Sequence, residues 1–194
     1  DAIRAIDDYH PNVVVGLSAQ MARIAGKTEH KPHYVLLSAD MAPVSIRQRI
    51  EKLWGCTTFN HYGLTETGWG CAVECRARQG CHIRELDLYV EIVDENGQVL
   101  PDGKWGEMVI TTLSRRSFPL IRYRTGDEGR ILQDVCPCGS PLKRIEVLGA
   151  YPEKAQVASH FAFMTWKTPF GDCPGLKTLK YPCRIRETSP KSYL

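Results

Sequence analysis

The stretch VVVGLSAQMARIAGKTEHKPHYVLL, residues 13–37, changes its hydrophobic period twice, and those changes decide the fold. Val13-Val14-Val15-Gly16 is a short, fully apolar run rich in β-branched residues and reads as a strand. From Leu17 to Ala25 the apolar residues Leu17, Met21, Ile24 and Ala25 recur on one helical face, which Gly26 closes. Tyr34-Val35-Leu36-Leu37 is again a continuous apolar run. Strand, helix and strand in such quick succession is the rhythm of a parallel βαβ unit, because parallel neighbours need a crossover between them.

Working outward, AIRAIDDY at residues 2–9 reads as the end of a helix stopped by His10-Pro11-Asn12. On the other side Pro43 opens a helix with Ile46, Ile50, Leu53 and Trp54 on one face; Gly55 ends it, and Thr57-Thr58-Phe59 resumes a strand. Residues 1–72 are therefore expected to form part of a layered α/β sheet. Ligands of such sheets bind beyond the carboxyl ends of the strands, which directs attention to the loops Ser38–Ala42 and His61–Gly68. Further on the texture becomes β-rich. Leu88–Val93 and Glu107–Leu113 read as strands, Asn96-Gly97 and Asp102-Gly103 as turns, and Leu120–Tyr123 and Gly129–Leu132 as short strands. Residues 73–149 are expected to form a small β-barrel. Residues 150–194 form an unassigned C-terminal tail, rich in Pro and aromatic residues and without a clean period.

Composition narrows the function. The 194 residues are 43% hydrophobic and 24% charged, as in an ordinary globular chain. The net charge of +3 lies wholly in the tail, and no run of like charge is long enough for a nucleic-acid arm. No apolar stretch approaches the ~18–20 residues of a membrane span, and no secretion signal opens the chain. We therefore expect a cytoplasmic protein with small-molecule partners, neither nucleic acid nor membrane. Its oligomeric state is not legible. Because Asp1 already lies inside a helical pattern, the chain reads as the interior of a longer polypeptide.

Two motifs carry chemistry. HYGLTETG, residues 61–68, sets an aromatic ring, hydroxyls and a carboxylate on one glycine-flanked loop after a strand. These groups suit a nucleotide: a ring face for a purine, a hydroxyl for a phosphate oxygen, a carboxylate for Mg²⁺. The plainer alternative is a turn with a buried Tyr and a solvated Glu. IRYRTGD, residues 121–127, runs from a strand into a Gly-Asp turn, where an acid can accept from both hydroxyls of a ribose. Alone, it reads as a hairpin turn.

With these motifs the chain resembles the adenylate-forming superfamily of acyl- and aryl-CoA ligases, specifically its phenylacetate-CoA ligase-like branch. The resemblance runs from Val13 to Gly149 and also takes in GQVLPDGKWGEMVITTL at 97–113, PLIRYRTGD at 119–127 and CPCG at 136–139. It implies an α/β nucleotide-binding region and an AMP-forming ligation: a carboxylic acid, for which the branch implies an aryl acetate, is activated by MgATP and passed to coenzyme A. It implies catalytic roles for Thr65, on the α-phosphate, and Glu66, assisting Mg²⁺. Contacts to ATP or AMP would come from Ser38, Ala39, Asp40, Tyr62, Gly63, Thr65 and Asp127, with Arg124 as a further candidate. Asp40 stands where the family more often has Glu. Thr67–Gly70, with Trp69, is similar in position to the wall of the acyl pocket. The family's phosphate loop would lie upstream of residue 1, and its lid lysine beyond a hinge that begins with Arg. Here Ala150 follows Gly149 and the resemblance stops, as a shifted reading frame would cause; sequencing the coding DNA tests that. A chain without both parts is expected to be catalytically incompetent alone.

The eight cysteines are clustered rather than spread, which suits metal binding better than a disulfide framework. Cys75, His82, Cys136 and Cys138 offer a Cys₃His set, a recognised structural zinc combination, with Cys71 and Cys81 as substitutes. The resembling branch implies the same use of these elements. Cys56 reads as core, and His10, His30, His33, His61 and His160 are assigned no chemistry. Two other classes stay open: a zinc-stabilised binding module, and a ligase-like protein that binds nucleotide without turnover.

Overall fold

A computed structural model describes residues 2–39, 42–68 and 70–150. The expectations placed on Asp40, Trp69 and residues 151–194 lie outside these.

The first half follows the hydrophobic pattern closely. Helix α1 (Ala2–Tyr9) leads into strand β1 (Val13–Gly16), helix α2 (Ser18–Ile24), strand β2 (Tyr34–Leu37), helix α3 (Val44–Trp54) and strand β3 (Thr57–Tyr62). Pro43 caps α3 and Gly55 ends it, as the sequence predicts. The three strands are parallel, with Val14, Val35 and Thr58 in register. Their helix-facing side chains meet the apolar faces of the helices in a core of Ile6, Met21, Ala25, Val35, Leu37, Ile50, Trp54 and Cys56. Cys56 is thus the core residue its position suggests.

Strand β3 runs on past Phe59 to Tyr62. Its second half is stabilised by antiparallel pairing with β4 (Ala72–Glu74), His61 opposite Val73 and Tyr62 opposite Ala72. Strands β5 (Cys81–Ile83), β6 (Leu88–Val93), β7 (Gly106–Thr112), β8 (Tyr123–Ile131) and β9 (Arg144–Ala150) complete one mixed sheet in the order β1-β2-β3-β4-β5-β9-β8-β7-β6. Side chains from both β4 and β6 share a second core with Met108, Ile110, Ile131 and Ile145. The antiparallel run therefore curls around its own interior. Among the described residues no strand pairing closes it into a ring.

One expectation is corrected. Leu120–Tyr123 and Gly129–Leu132 do not form separate strands around a turn; β8 runs from Tyr123 to Ile131 through the Gly-Asp pair. The reason is a bulge. Val109 faces Arg124 and Glu107 faces Glu128, so Thr125, Gly126 and Asp127 together oppose Met108. Gly126 lies at φ +79°, a conformation that costs a side-chain-bearing residue roughly 1–2 kcal/mol.

Candidate functional site

The HYGLTETG motif is the loop of the β3–β4 hairpin, closed by the Cys71 N–H donating to the Tyr62 carbonyl at 2.9 Å. Within it Thr65–Thr67 forms one 3₁₀ turn. The buried Thr67 is structural, because its hydroxyl donates to the Leu64 carbonyl at 2.7 Å and accepts from the Leu64 N–H. Thr65 is left exposed and Glu66 half-buried.

The bulge in β8 is anchored from below. Glu107, 1% exposed, accepts from Arg124 Nε at 2.7 Å and from the Gly126 N–H at 3.2 Å. The Thr125 hydroxyl donates to the Met108 carbonyl and accepts from the Asp127 N–H. Arg124 is thereby engaged by a carboxylate beneath the bulge, and Asp127 is turned toward the hairpin loop.

The two motifs meet through a reciprocal pair of bonds. Each contains a tyrosine followed four residues later by an acid. The Tyr62 hydroxyl donates to Asp127 Oδ2 at 2.7 Å, and the Tyr123 hydroxyl donates to Glu66 Oε1 at 2.9 Å. Burial, then the bond to Asp127, pushes the Tyr62 phenol well above its ordinary range. The bond to Glu66 raises Tyr123 as well. Both tyrosines remain neutral donors, and each carboxylate keeps a second oxygen with no hydrogen-bond partner among the described residues.

Tyr62, Gly63, Leu64 and Asp127 line one wall of a cavity of about 620 Å³; Ala39, His61, Arg47, Glu74 and Val147 line others. Ser38 stands behind this surface, with its hydroxyl 2.8 Å from His61 Nδ1. Of the sequence candidates, Ala39, Tyr62, Gly63 and Asp127 thus share the cavity. Ser38, Thr65, Glu66 and Arg124 lie outside its lining. The role of His61 as a cavity wall was missed. Its position beside Tyr62 was the only signal, since no spacing rule ties it to Ser38. Arg47 was missed too: it donates to both oxygens of Glu74, at 3.1 and 2.9 Å, and ties α3 to β4 at the cavity wall.

The Cys/His set is assembled by the β5–β9 pairing, which sets His82 opposite Arg144. Arg144, 4% exposed, donates to the carbonyls of Gln79 and Asp134 and so clamps the two loops that carry the cysteines. The ligand atoms of Cys75, His82, Cys136 and Cys138 all lie within 4.8 Å of one another. Cys75 Sγ is 3.5 Å from Cys136 Sγ, and Cys138 Sγ is 3.4 Å from His82 Nε2. Tetrahedral zinc, with Zn–S of about 2.3 Å, separates its ligands by about 3.8 Å, so the cage has the right size. His82 Nδ1 lies 3.1 Å from the Leu142 carbonyl, which orients the ring and leaves Nε2 for a metal. Burial raises the Cys75 thiol, but the Ala77 N–H and the neighbouring donors outweigh it and hold it below its usual value. The Ser140 N–H lowers Cys138 likewise, whereas burial holds Cys136 up. Cys71 and Cys81, the alternatives, are instead pushed up to about 12 by burial, as suits inert core thiols.

Residues 1–114 match the family model described as AMP-binding enzyme. The chain is 43% identical over 135 residues to the phenylacetate-coenzyme A ligase of Escherichia coli (strain K12), covering 68% of this chain and 30% of that protein. Against the phenylacetate-coenzyme A ligase of Pseudomonas putida it is 34% identical over 154 residues, covering 74% and 34%. An open conformation of 2-hydroxyisobutyryl-CoA ligase in complex with 2-HIB-AMP and CoA shares the fold. Its TM-score is 0.71 at 20% identity, covering 82% of this chain and 41% of that one. The chain therefore belongs to the AMP-binding enzyme family, in its phenylacetate-CoA ligase-like branch. It spans about a third of the length of the curated relatives it matches. Among the described residues no helix is long and apolar enough to cross a membrane.

Proposed function

We propose that this chain is the nucleotide-binding part of an AMP-forming carboxylate–CoA ligase, with an aryl acetate as the acid. In that reaction a carboxylate oxygen bonds to the α-phosphorus of ATP, the α–β anhydride breaks, and pyrophosphate leaves. The sulfur of coenzyme A then bonds to the acyl carbon and AMP leaves. On this reading the Tyr62 ring stacks on adenine beside Ser38, Ala39 and Asp40, while Asp127 accepts from the ribose hydroxyls through Oδ1. Thr65 donates to the α-phosphate, and Glu66 is the carboxylate available to Mg²⁺. Arg124 acts beneath the bulge by holding Asp127 in position. Cys75, His82, Cys136 and Cys138 hold a structural zinc ion, a closed set with no place for substrate.

The observation that supports this reading is the reciprocal Tyr–carboxylate pairing of the two motifs, whose Tyr62–Asp127 bond joins residues 65 positions apart at the cavity. Native mass spectrometry with AMP tests it. The expected spectrum shows one zinc and an AMP adduct, and Asp127→Ala weakens AMP by about ten-fold or more through loss of the ribose acceptor. Failure of the unsubstituted chain to bind AMP overturns the nucleotide reading. Zinc without nucleotide supports the metal-stabilised binding module instead.

A further inference from the structure

Arg115 stands apart from the other arginines near the site. Arg47, Arg84, Arg124 and Arg144 all donate to carboxylates or carbonyls. Arg115 is half-buried, yet among the described residues it has neither an ion pair nor a hydrogen bond. A guanidinium carries five donors, and those of Arg115 are engaged by no protein group among the described residues, which leaves them available to a ligand.

Its location names the ligand's chemistry. Arg115 Nη2 lies against Gly68, in the space that a β-carbon there would take. Gly68 closes the 3₁₀ turn that Thr65 opens, its N–H donating to the Thr65 carbonyl, so Arg115 lies against the turn that carries the Thr65 hydroxyl. The acid of the turn, Glu66, accepts from Tyr123 rather than from Arg115. The acid of this turn therefore does not neutralise the cation beside it.

The placement is braced from both sides. Ser114, next to Arg115, donates its hydroxyl to Asp87 Oδ1 at 3.1 Å, and the Leu113 N–H donates to the Asp87 carbonyl at 2.8 Å. Arg84 pairs with Asp87 and donates to the Gly70 carbonyl at 2.9 Å. One Arg84–Asp87 pair thus ties the loop bearing Arg115 to the loop bearing Gly68.

We propose that Arg115 is a phosphate-binding residue of the nucleotide site, reaching across Gly68 to the phosphoryl oxygens that Thr65 also contacts. The assignment rests on the nucleotide reading above and adds to it a cation from a different strand connection. A guanidinium suits the task because its planar fork offers two parallel N–H groups to two phosphoryl oxygens.

Calorimetric titration of the 194-residue chain with AMP and with adenosine separates the possibilities. Arg115→Ala is expected to weaken AMP by about ten-fold, the loss of a charge-assisted hydrogen bond, while adenosine affinity and the thermal midpoint stay unchanged. Arg115→Lys restores part of the loss, and Arg116→Ala, at the exposed neighbour, has no effect. Unchanged AMP affinity in Arg115→Ala overturns the assignment while leaving nucleotide binding intact. An equal loss for AMP and adenosine also overturns it, since the residue then acts on loop structure rather than phosphate. If the unsubstituted chain binds neither ligand, the nucleotide reading fails and this assignment fails with it.

Discussion

Tyr62 shows how one side chain can join two motifs. Its ring is packed against the antiparallel core, and its hydroxyl is committed to Asp127. Both burial and that bond favour the protonated phenol, so its ionisation in the folded chain begins above the ordinary tyrosine value. The sign follows from proton binding. Between the unfolded and folded values the native state holds more protons, so stability is full below about pH 10 and falls as pH rises beyond it. Tyr62→Phe is expected to cost about 1 kcal/mol at neutral pH by removing a donor from Asp127. The same variant flattens the alkaline decline, which urea unfolding across an alkaline pH series measures. Cys71 and Cys81, also raised by burial, contribute a decline of the same sign in both proteins. The difference between the two curves therefore isolates Tyr62, and parallel curves would remove the coupling to Asp127.

At the scale of elements, legibility depended on whether a signal was local. Helix α3 could be bounded from sequence because Pro43 and Gly55 act on their own backbone. Strand β8 could not, since Gly126-Asp127 is equally a turn dipeptide and only the opposing Met108 and Glu107 make it a bulge. The same limit hid the Tyr–acid exchange, in which neither partner is near the other in sequence. The Cys₃His set was readable because its donor types are restrictive even at unusual spacing. Two predictions belong here. Gly126→Ala forces a β-carbon into a left-handed conformation, with an expected loss of about 1–2 kcal/mol in unfolding free energy and a displaced Asp127 that weakens AMP. Glu107→Gln is the milder companion, retaining volume while weakening the anchor to Arg124. In the Cys/His set, Cys138→Ser is expected to abolish zinc in the mass spectrum and lower the thermal midpoint, an effect that chelation of the parent chain reproduces. A metal-free parent with an unchanged midpoint would instead show that the hydrogen bonds of Arg144 and Arg76 hold those loops without metal.

Across the whole described molecule, the two cores differ in how completely they are enclosed. The antiparallel run curls over its own interior, whereas the parallel strands β1 to β3 are covered by helices on one face only. On the other face Val13, Val15 and Tyr34 are 52%, 60% and 48% exposed, and the Tyr34 ring lies beside Phe59. Parallel sheets are ordinarily covered on both faces, so this apolar strip is an unsatisfied surface. Among the described residues β1 also pairs on one side alone, leaving a row of backbone donors and acceptors at the sheet edge. Both features favour self-association of the 194-residue chain through the same strand. Val15→Lys sets a charge in the strip without touching the helix-facing core, the cavity or the cysteine cage. Sedimentation velocity over a concentration series is expected to show association in the parent chain and its reduction in Val15→Lys, with AMP and zinc masses unchanged. Equal sedimentation of the two proteins would assign any association to another surface. Loss of the nucleotide along with the association would show instead that the uncovered face and the cavity are coupled through β3, the strand that belongs to both.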